Sequence, residues 1–338
     1  MIAPVSHPLH VPHGTSADHL DRVVVRPERV GWMYSGLRIV ELAPGASRSL
    51  HTGPDEILVL PLAGSATVEC AGERFELAGR DDVFSGPSDF AYVPPGTDVT
   101  ISSRGGGRFA LPSARATASL PPAYGPVESV PVEIRGAGAS SRQLHNFCAP
   151  AAFPADRLVS VECITPAGNW SSWPPHKHDT VGPGEAVLEE IYYFETAPTA
   201  AVGPRRVGEG FALLRLYTAD GEIDLCEQVR HGDVVVIPRG YHGPTVTAPG
   251  YDLYHLNVLA GPSPERTMAF CDDPAHAWVR ESWEGQAIDP RLLTWPSGVE
   301  PTRAHRRASM RGGPRRRTTA PRRRPPSALR AATRRPPR

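Results

Sequence analysis

The apolar residues of this chain fall into short runs of strand length, each closed by a turn, and no long amphipathic helical period interrupts them. Residues 22–26, 37–42, 56–60 and 66–70 read as strands. Ala71-Gly72-Glu73 reads as a hairpin loop that returns the chain along 74–77, and 81–84, 90–93 and 99–101 complete a meander. Residues 105–107 and 120–125 read as loop or linker. A second series of strands follows at 132–134, 158–164, 211–217, 228–230, 233–237 and 251–258. Turns spaced by roughly eight to twelve residues predict a sandwich or barrel, built twice. The 38 prolines and 32 glycines suit that turn-rich, all-β class better than a helical bundle.

The second series carries the candidate chemistry. In Trp173-Pro-Pro-His-Lys-His-Asp179 the two histidines stand at i and i+2, on one face of an extended strand, while Lys177 points to the other. A glutamate opening the next strand, Glu189 or Glu190, can close on the same point, and the register of Glu190-Ile-Tyr-Tyr-Phe194 favours Glu190. Glu185, in the loop between them, is a weaker third carboxylate. His242 follows in the turn Ile237-Pro-Arg-Gly-Tyr-His242. Three imidazoles and a carboxylate, His176, His178, His242 and Glu190, suit one divalent ion: zinc, manganese or iron.

The first series repeats this wording in degraded form. Phe90-Ala-Tyr-Val-Pro-Pro-Gly-Thr-Asp98 matches Gly232-Asp-Val-Val-Val-Ile-Pro-Arg-Gly-Tyr-His242, with Asp98 in the place of His242. Upstream, His51, Gly53 and Glu56 parallel His176, His178 and Glu190. His51 and Glu56 alone are too few ligands, so the first half is expected to hold no metal.

Together, the HxH…E and PxGxH elements resemble the two-part cupin signature, and two copies resemble a bicupin. The narrower wording, Asn169-Trp-Ser-Ser-Trp-Pro-Pro-His-Lys-His-Asp179, Glu189-Glu-Ile-Tyr-Tyr-Phe194, Pro238-Arg-Gly-Tyr-His242 and 250–261, is similar to the 5-deoxy-glucuronate isomerase family of myo-inositol catabolism. The 5-keto-4-deoxyuronate ketol-isomerases are a more distant likeness. The resemblance covers roughly residues 20–292. It implies two tandem double-stranded β-helix (jelly-roll) barrels with few helices and a small sugar-acid substrate. The implied reaction is the aldose–ketose conversion of 5-deoxy-D-glucuronate to 5-dehydro-2-deoxy-D-gluconate through a metal-stabilised enediolate.

Such chemistry needs a cation that stabilises charge on adjacent oxygens and a base of suitable pKa. Period two puts Tyr192 on the face of Glu190, which makes it a candidate acid or hydrogen-bond donor. Its bland reading is an aromatic core residue. Arg215 is a candidate clamp for the substrate carboxylate, with a surface ion pair as its alternative. Tyr241 and Asp179 adjoin ligands but should point away, and no base is identifiable. Two other classes fit the same ligands less well: a cupin metal-dependent dioxygenase, and a non-catalytic sugar-binding bicupin.

Charge and composition then set the boundaries. The net charge of zero conceals an asymmetry: 14 arginines and no acid lie in 301–338, which leaves 22 basic against 36 acidic residues in 1–300. The Arg/Pro-rich stretch 293–338 is expected to be a disordered tail that binds polyanions weakly, without a specific nucleic-acid partner. The expected organisation is an arm (1–20), a degenerate barrel (21–125), a metal-binding barrel (126–292) and that tail. Five scattered cysteines with no CxxC pair predict buried free thiols in a reducing cytoplasm. No apolar run predicts a membrane span, and no signal pattern opens the chain. Apolar barrel faces are compatible with a homo-oligomer.

Overall fold

A computed structural model of the chain describes residues 7–199, 208 and 210–293. The tail expected over 293–338 lies, except for residue 293, outside the described residues. Strands dominate, and among the described residues the one α-helix is the single turn Val279–Ser282.

The described residues form three sheets. A nine-stranded sheet is built from strands between Val23–Val25 and Ala123–Gly125. The other strands form a seven-stranded sheet, centred on Glu189–Pro198 paired with Tyr251–Ala260, and a six-stranded sheet centred on Ala212–Tyr217 paired with Tyr241–Thr247. The segments 56–60 and 66–70 belong to one strand, Asp55–Cys70. Its register shifts around Pro61–Ala63 and Gly64–Ala66 let one strand serve successive partners, first Gly107–Arg115 and then Glu73–Arg80. The expected hairpin is tight: Ala71 and Gly72 have φ of 50° and 82°, and Cys70 pairs with Glu73.

Several segments differ from expectation. Residues 81–84 are a turn, in which Asp82 accepts the Phe84 N–H at 2.8 Å while Val83 and Phe84 are buried. Ala123–Gly125 is no linker but a strand paired with Phe90–Val93. Gly107–Arg115 and Arg142–Cys148 are strands that the sequence reading passed over. The N-terminal arm is tied down in part. His10–Val11 pairs with Val234–Val235, because buried His10 meets Asp233 at 3.1 Å and Asp233 also accepts the His13 N–H at 2.8 Å. The five thiols are free; Cys226 is exposed and Cys271 half-buried, while burial pushes the Cys148 thiol up to about 12.

Period two along the central strands assigns each side chain to one of two cores. Leu58 and Leu60 join Ile191 and Tyr193 in a core shared by the two halves. Ile57 and Val59 fill the interior of the first half, and Tyr192 and Phe194 that of the second. Truncating one such residue to alanine costs about 2–5 kcal/mol. Ion pairs also cross between the halves, one buried and one partly buried. Arg80 meets Glu162, which also accepts from Tyr254 at 2.8 Å and lies 2.9 Å from His145; Arg108 forks onto Glu195 at 3.0 and 2.6 Å.

Candidate metal and substrate site

Inside the second half, His178, Glu190 and His242 converge, with one ligand atom from each lying within 4.8 Å of the others. All three are buried. Sheet register does this work. His176 pairs with His242 across the six-stranded sheet, while Glu190 pairs with Ile237, the last residue of the strand that leads into the turn to His242. His176 lies beside the trio, its ring 4.4 Å from that of His242.

The hydrogen bonds of the imidazoles reveal what the cluster is suited to hold. The Nδ1 atoms of His178, His176 and His242 face the carbonyls of Leu188 (2.9 Å), Pro174 (3.3 Å) and Gly240 (3.3 Å). A carbonyl can only accept, so these contacts assign the proton to Nδ1 and leave each Nε2 a lone pair. His178 Nε2 lies 2.8 Å, and His242 Nε2 3.0 Å, from the Glu190 carboxylate. Lone pairs aimed at a carboxylate repel unless a cation lies between them, so the donor set fits a divalent ion.

Charge follows the same logic. Burial opposes charging His178, but the Glu190 carboxylate outweighs it and raises the pKa, so a proton on Nε2 competes with a cation for the lone pair that faces Glu190. Burial also opposes ionising Glu190, and the nearby His242 and His178 outweigh it, holding the carboxyl far below its usual range. His176 is pushed well below 6.5 by burial, then by His242, which keeps it neutral as a ligand must be.

The neighbouring acids are committed elsewhere. Glu189 turns to the opposite face and accepts the N–H groups of Met33, Tyr34 and Ser35, each at 2.8 Å. Glu185 and Asp179 accept from Lys177 Nζ at 2.7 and 2.6 Å, which closes the 180–188 loop on itself. Asp179 also accepts the Gly240 N–H at 2.8 Å and so braces the turn that delivers His242. Tyr241 stacks on Tyr217, away from the cluster.

Tyr192 is buried on the Glu190 face, its ring 5.9 Å from His242 and its hydroxyl sharing a 3.1 Å hydrogen bond with Ser172. Burial, then the charge of Glu190, pushes its pKa well above 10, so it remains a hydrogen-bond donor. Arg215 is not brought to the cluster. Leu214 and Leu216 take the inward positions of its strand, and Arg215 faces out, 2.7 Å from Asp224 and stacked on Tyr217.

A cavity opens beside the cluster, and the sequence reading missed much of its lining: Arg142, His255, Asn257 and Phe270. His255 and Asn257 stand at i and i+2 of Tyr251–Ala260, an alternation of polar residues inside an apolar strand that was open to detection. Among the described residues nothing hydrogen-bonds His255 Nδ1 or Asn257 Oδ1, and burial holds the His255 pKa down to about 3.

Comparison with known proteins agrees with this architecture. The 5-deoxy-glucuronate isomerase of Geobacillus kaustophilus (strain HTA426) is 40% identical over 277 residues, 81% of this chain and 96% of that protein. That of Geobacillus thermodenitrificans (strain NG80-2) is 41% identical over 263 residues, 77% and 91% respectively. Among solved structures, an IolB-like protein of Salmonella typhimurium LT2 superposes with a TM-score of 0.73 at 34% identity, covering 80% of this chain and 98% of that one. Oxalate decarboxylase of Bacillus subtilis (TM-score 0.53, 15% identity, 80% of each chain) shares the fold alone, and the fold is the expected bicupin. The family model described as KduI/IolB matches residues 9–279, and with these identities it places the chain in the KduI/IolB family.

Proposed function

We propose that this protein is a metal-dependent isomerase that interconverts 5-deoxy-glucuronate and 5-dehydro-2-deoxy-gluconate. The observation that carries this reading is three histidines with every Nδ1 turned to a backbone carbonyl, two of which, His178 and His242, turn Nε2 to Glu190, in a chain similar to proteins named 5-deoxy-glucuronate isomerase. His176, His178, Glu190 and His242 would hold one divalent ion. Once bound, such an ion supplies Lewis-acid stabilisation of negative charge developing on adjacent substrate oxygens. Tyr192, kept protonated by its surroundings, donates a hydrogen bond toward the same oxygens. The apolar walls, Leu144, Val161 and Leu259, exclude water from the proton transfer.

We further propose that residues 21–125 and 126–292 act as two barrels, of which the first holds no metal. The enzyme is assigned to the cytoplasm; no helix among the described residues is long and apolar enough to cross a membrane. The test is an anaerobic assay of metal-loaded protein on 5-deoxy-glucuronate, without nicotinamide or ATP. Ketose product is the expected result. No product there, with oxygen-dependent turnover of another compound, would replace the reading with a dioxygenase.

A further inference from the structure

Arg142 is the least compensated cation beside the cavity. It opens the strand Arg142–Cys148, is 5% exposed and lines the same cavity as His176, His178 and Glu190. Its guanidinium donates to two backbone carbonyls, Ser140 at 2.9 Å and Trp173 at 3.4 Å, and stacks on Trp283 at 5.6 Å. Among the described residues it has no carboxylate partner.

The surroundings make that absence costly. Arg135 stands directly opposite it across the strand pair, and like charges so placed repel. Arg280 packs on the same Trp283 ring at 5.4 Å. The two acids within this group are already taken: Glu133 receives Arg135 in a fork at 2.9 and 2.9 Å, and Asp272 receives Arg280. Three guanidiniums therefore share two carboxylates, and the one left over is the most buried. Burial, with repulsion from Arg135 and Arg280 in the same direction, brings its pKa down to about 10, so it still carries its charge at neutral pH. A buried cation without a counter-ion is unfavourable unless a ligand supplies one.

We propose that Arg142, and not Arg215, binds the substrate carboxylate. The missing third carboxylate of the arginine group arrives with the sugar acid, and the reacting aldehyde end then lies toward Glu190 and the histidines. This rests on the sugar-acid reading given above. Arg142 thereby becomes the residue that selects sugar acids over neutral sugars. The guanidinium fork matches a carboxylate in a way a lysine ammonium does not.

The experiment measures binding of 5-dehydro-2-deoxy-gluconate to metal-loaded protein by calorimetry, beside the same sugar with its carboxylate reduced to an alcohol, and steady-state kinetics on 5-deoxy-glucuronate. Arg142→Gln is expected to weaken the acid and raise KM about a hundredfold, with kcat within several-fold, because the contact is shared by ground and transition states. Arg142→Lys should be intermediate, and neither variant should change binding of the alcohol more than a few-fold. Equal losses for acid and alcohol would make Arg142 a brace for the Trp173 loop and overturn the proposal. Should a variant fail to fold, a crystal structure of the unaltered protein with the acid bound decides: a carboxylate oxygen within hydrogen-bond distance of Arg142 supports it, and a carboxylate seated elsewhere overturns it. A protein that binds the acid through Arg142 without isomerising it keeps this proposal and ends the isomerase reading. One that isomerises the acid with Arg142→Gln unimpaired does the reverse.

Discussion

Glu56 and Glu189 make the same contact in opposite directions across the molecule. Glu56 accepts the N–H groups of Asp156, Arg157 and Leu158 at 2.8, 2.6 and 2.7 Å; Glu189 accepts those of Met33, Tyr34 and Ser35. Each glutamate stands at the start of the central strand of one half, Glu189 as its first residue and Glu56 as its second, and seats the chain leading into a strand of the other. Ile57 pairs with Val93, which precedes the Pro-x-Gly turn, as Glu190 pairs with Ile237 before its own. The counterpart of Glu56 is therefore Glu189 and not Glu190, a correction of one residue to the repeat read from sequence. The residue in the place of Glu190 is Ile57, buried in the apolar interior of the first half.

Removing either clamp should loosen the two halves. Glu56 is fully buried and also accepts the Tyr92 hydroxyl at 2.9 Å, whereas Glu189 is only half-buried. Glu56→Ala is expected to cost about 3–5 kcal/mol, since it strands several donors out of water, and Glu189→Ala about half as much. Urea unfolding of both variants checks this; equal or negligible losses would contradict the clamp.

Neighbouring glutamates should separate cleanly in metal content. Glu190→Gln should weaken the bound ion by about a hundredfold or more, while Glu189→Gln should keep one equivalent per chain despite its lower stability. Elemental analysis after dialysis measures both. A second equivalent of equal affinity in the unaltered protein would refute the assignment of the first half, where His51, Gly53, Ile57 and Asp98 occupy the four positions.

Acid should expose the buried pair that joins the halves. Burial alone would raise the Glu162 pKa, but Arg80 and then His145 pull it down to about 2, from an ordinary 4.5. A carboxyl depressed in the folded state stabilises fully above its unfolded pKa and loses that contribution as pH falls through the folded one. Between pH 4.5 and about 2 the protein should therefore lose about 3 kcal/mol from this group. Glu162→Gln, which leaves Arg80 buried without its partner, should be less stable by about 3–5 kcal/mol at neutral pH and show a flatter acid limb. Chemical denaturation across that range reads both.

Arg215→Ala should do little. Its pair with Asp224 is exposed, so the expected cost is about 0–1 kcal/mol, and KM for the sugar acid should stay within a few-fold of the unaltered protein. A large rise in KM would return the carboxylate to Arg215 and remove it from Arg142.

Sequence alone determined the β class and the doubled pattern, and it pointed to the residue types of the histidine–glutamate cluster. Alternating apolar runs, HxH and PxGxH are local signals, set by the two-residue period of a strand and by turn chemistry. The positions of His176, His178 and His242 needed nothing more. Tertiary structure decided which way Glu56 faces in the first half, because a slip of one residue moves a side chain from the barrel interior to the shared core, and only the pairing of Ile57 with Val93 fixes that register. It also decided the fate of the arginines. Arg215 lies in a strand read from sequence and Arg142 in one that was passed over; Arg142 is buried beside a cavity, among Arg135, Arg280 and Trp283, and Arg215 faces out because Leu214 and Leu216 take the inward positions. Long-range neighbours set whether a charge finds its partner inside the protein, and those neighbours are not adjacent in the chain.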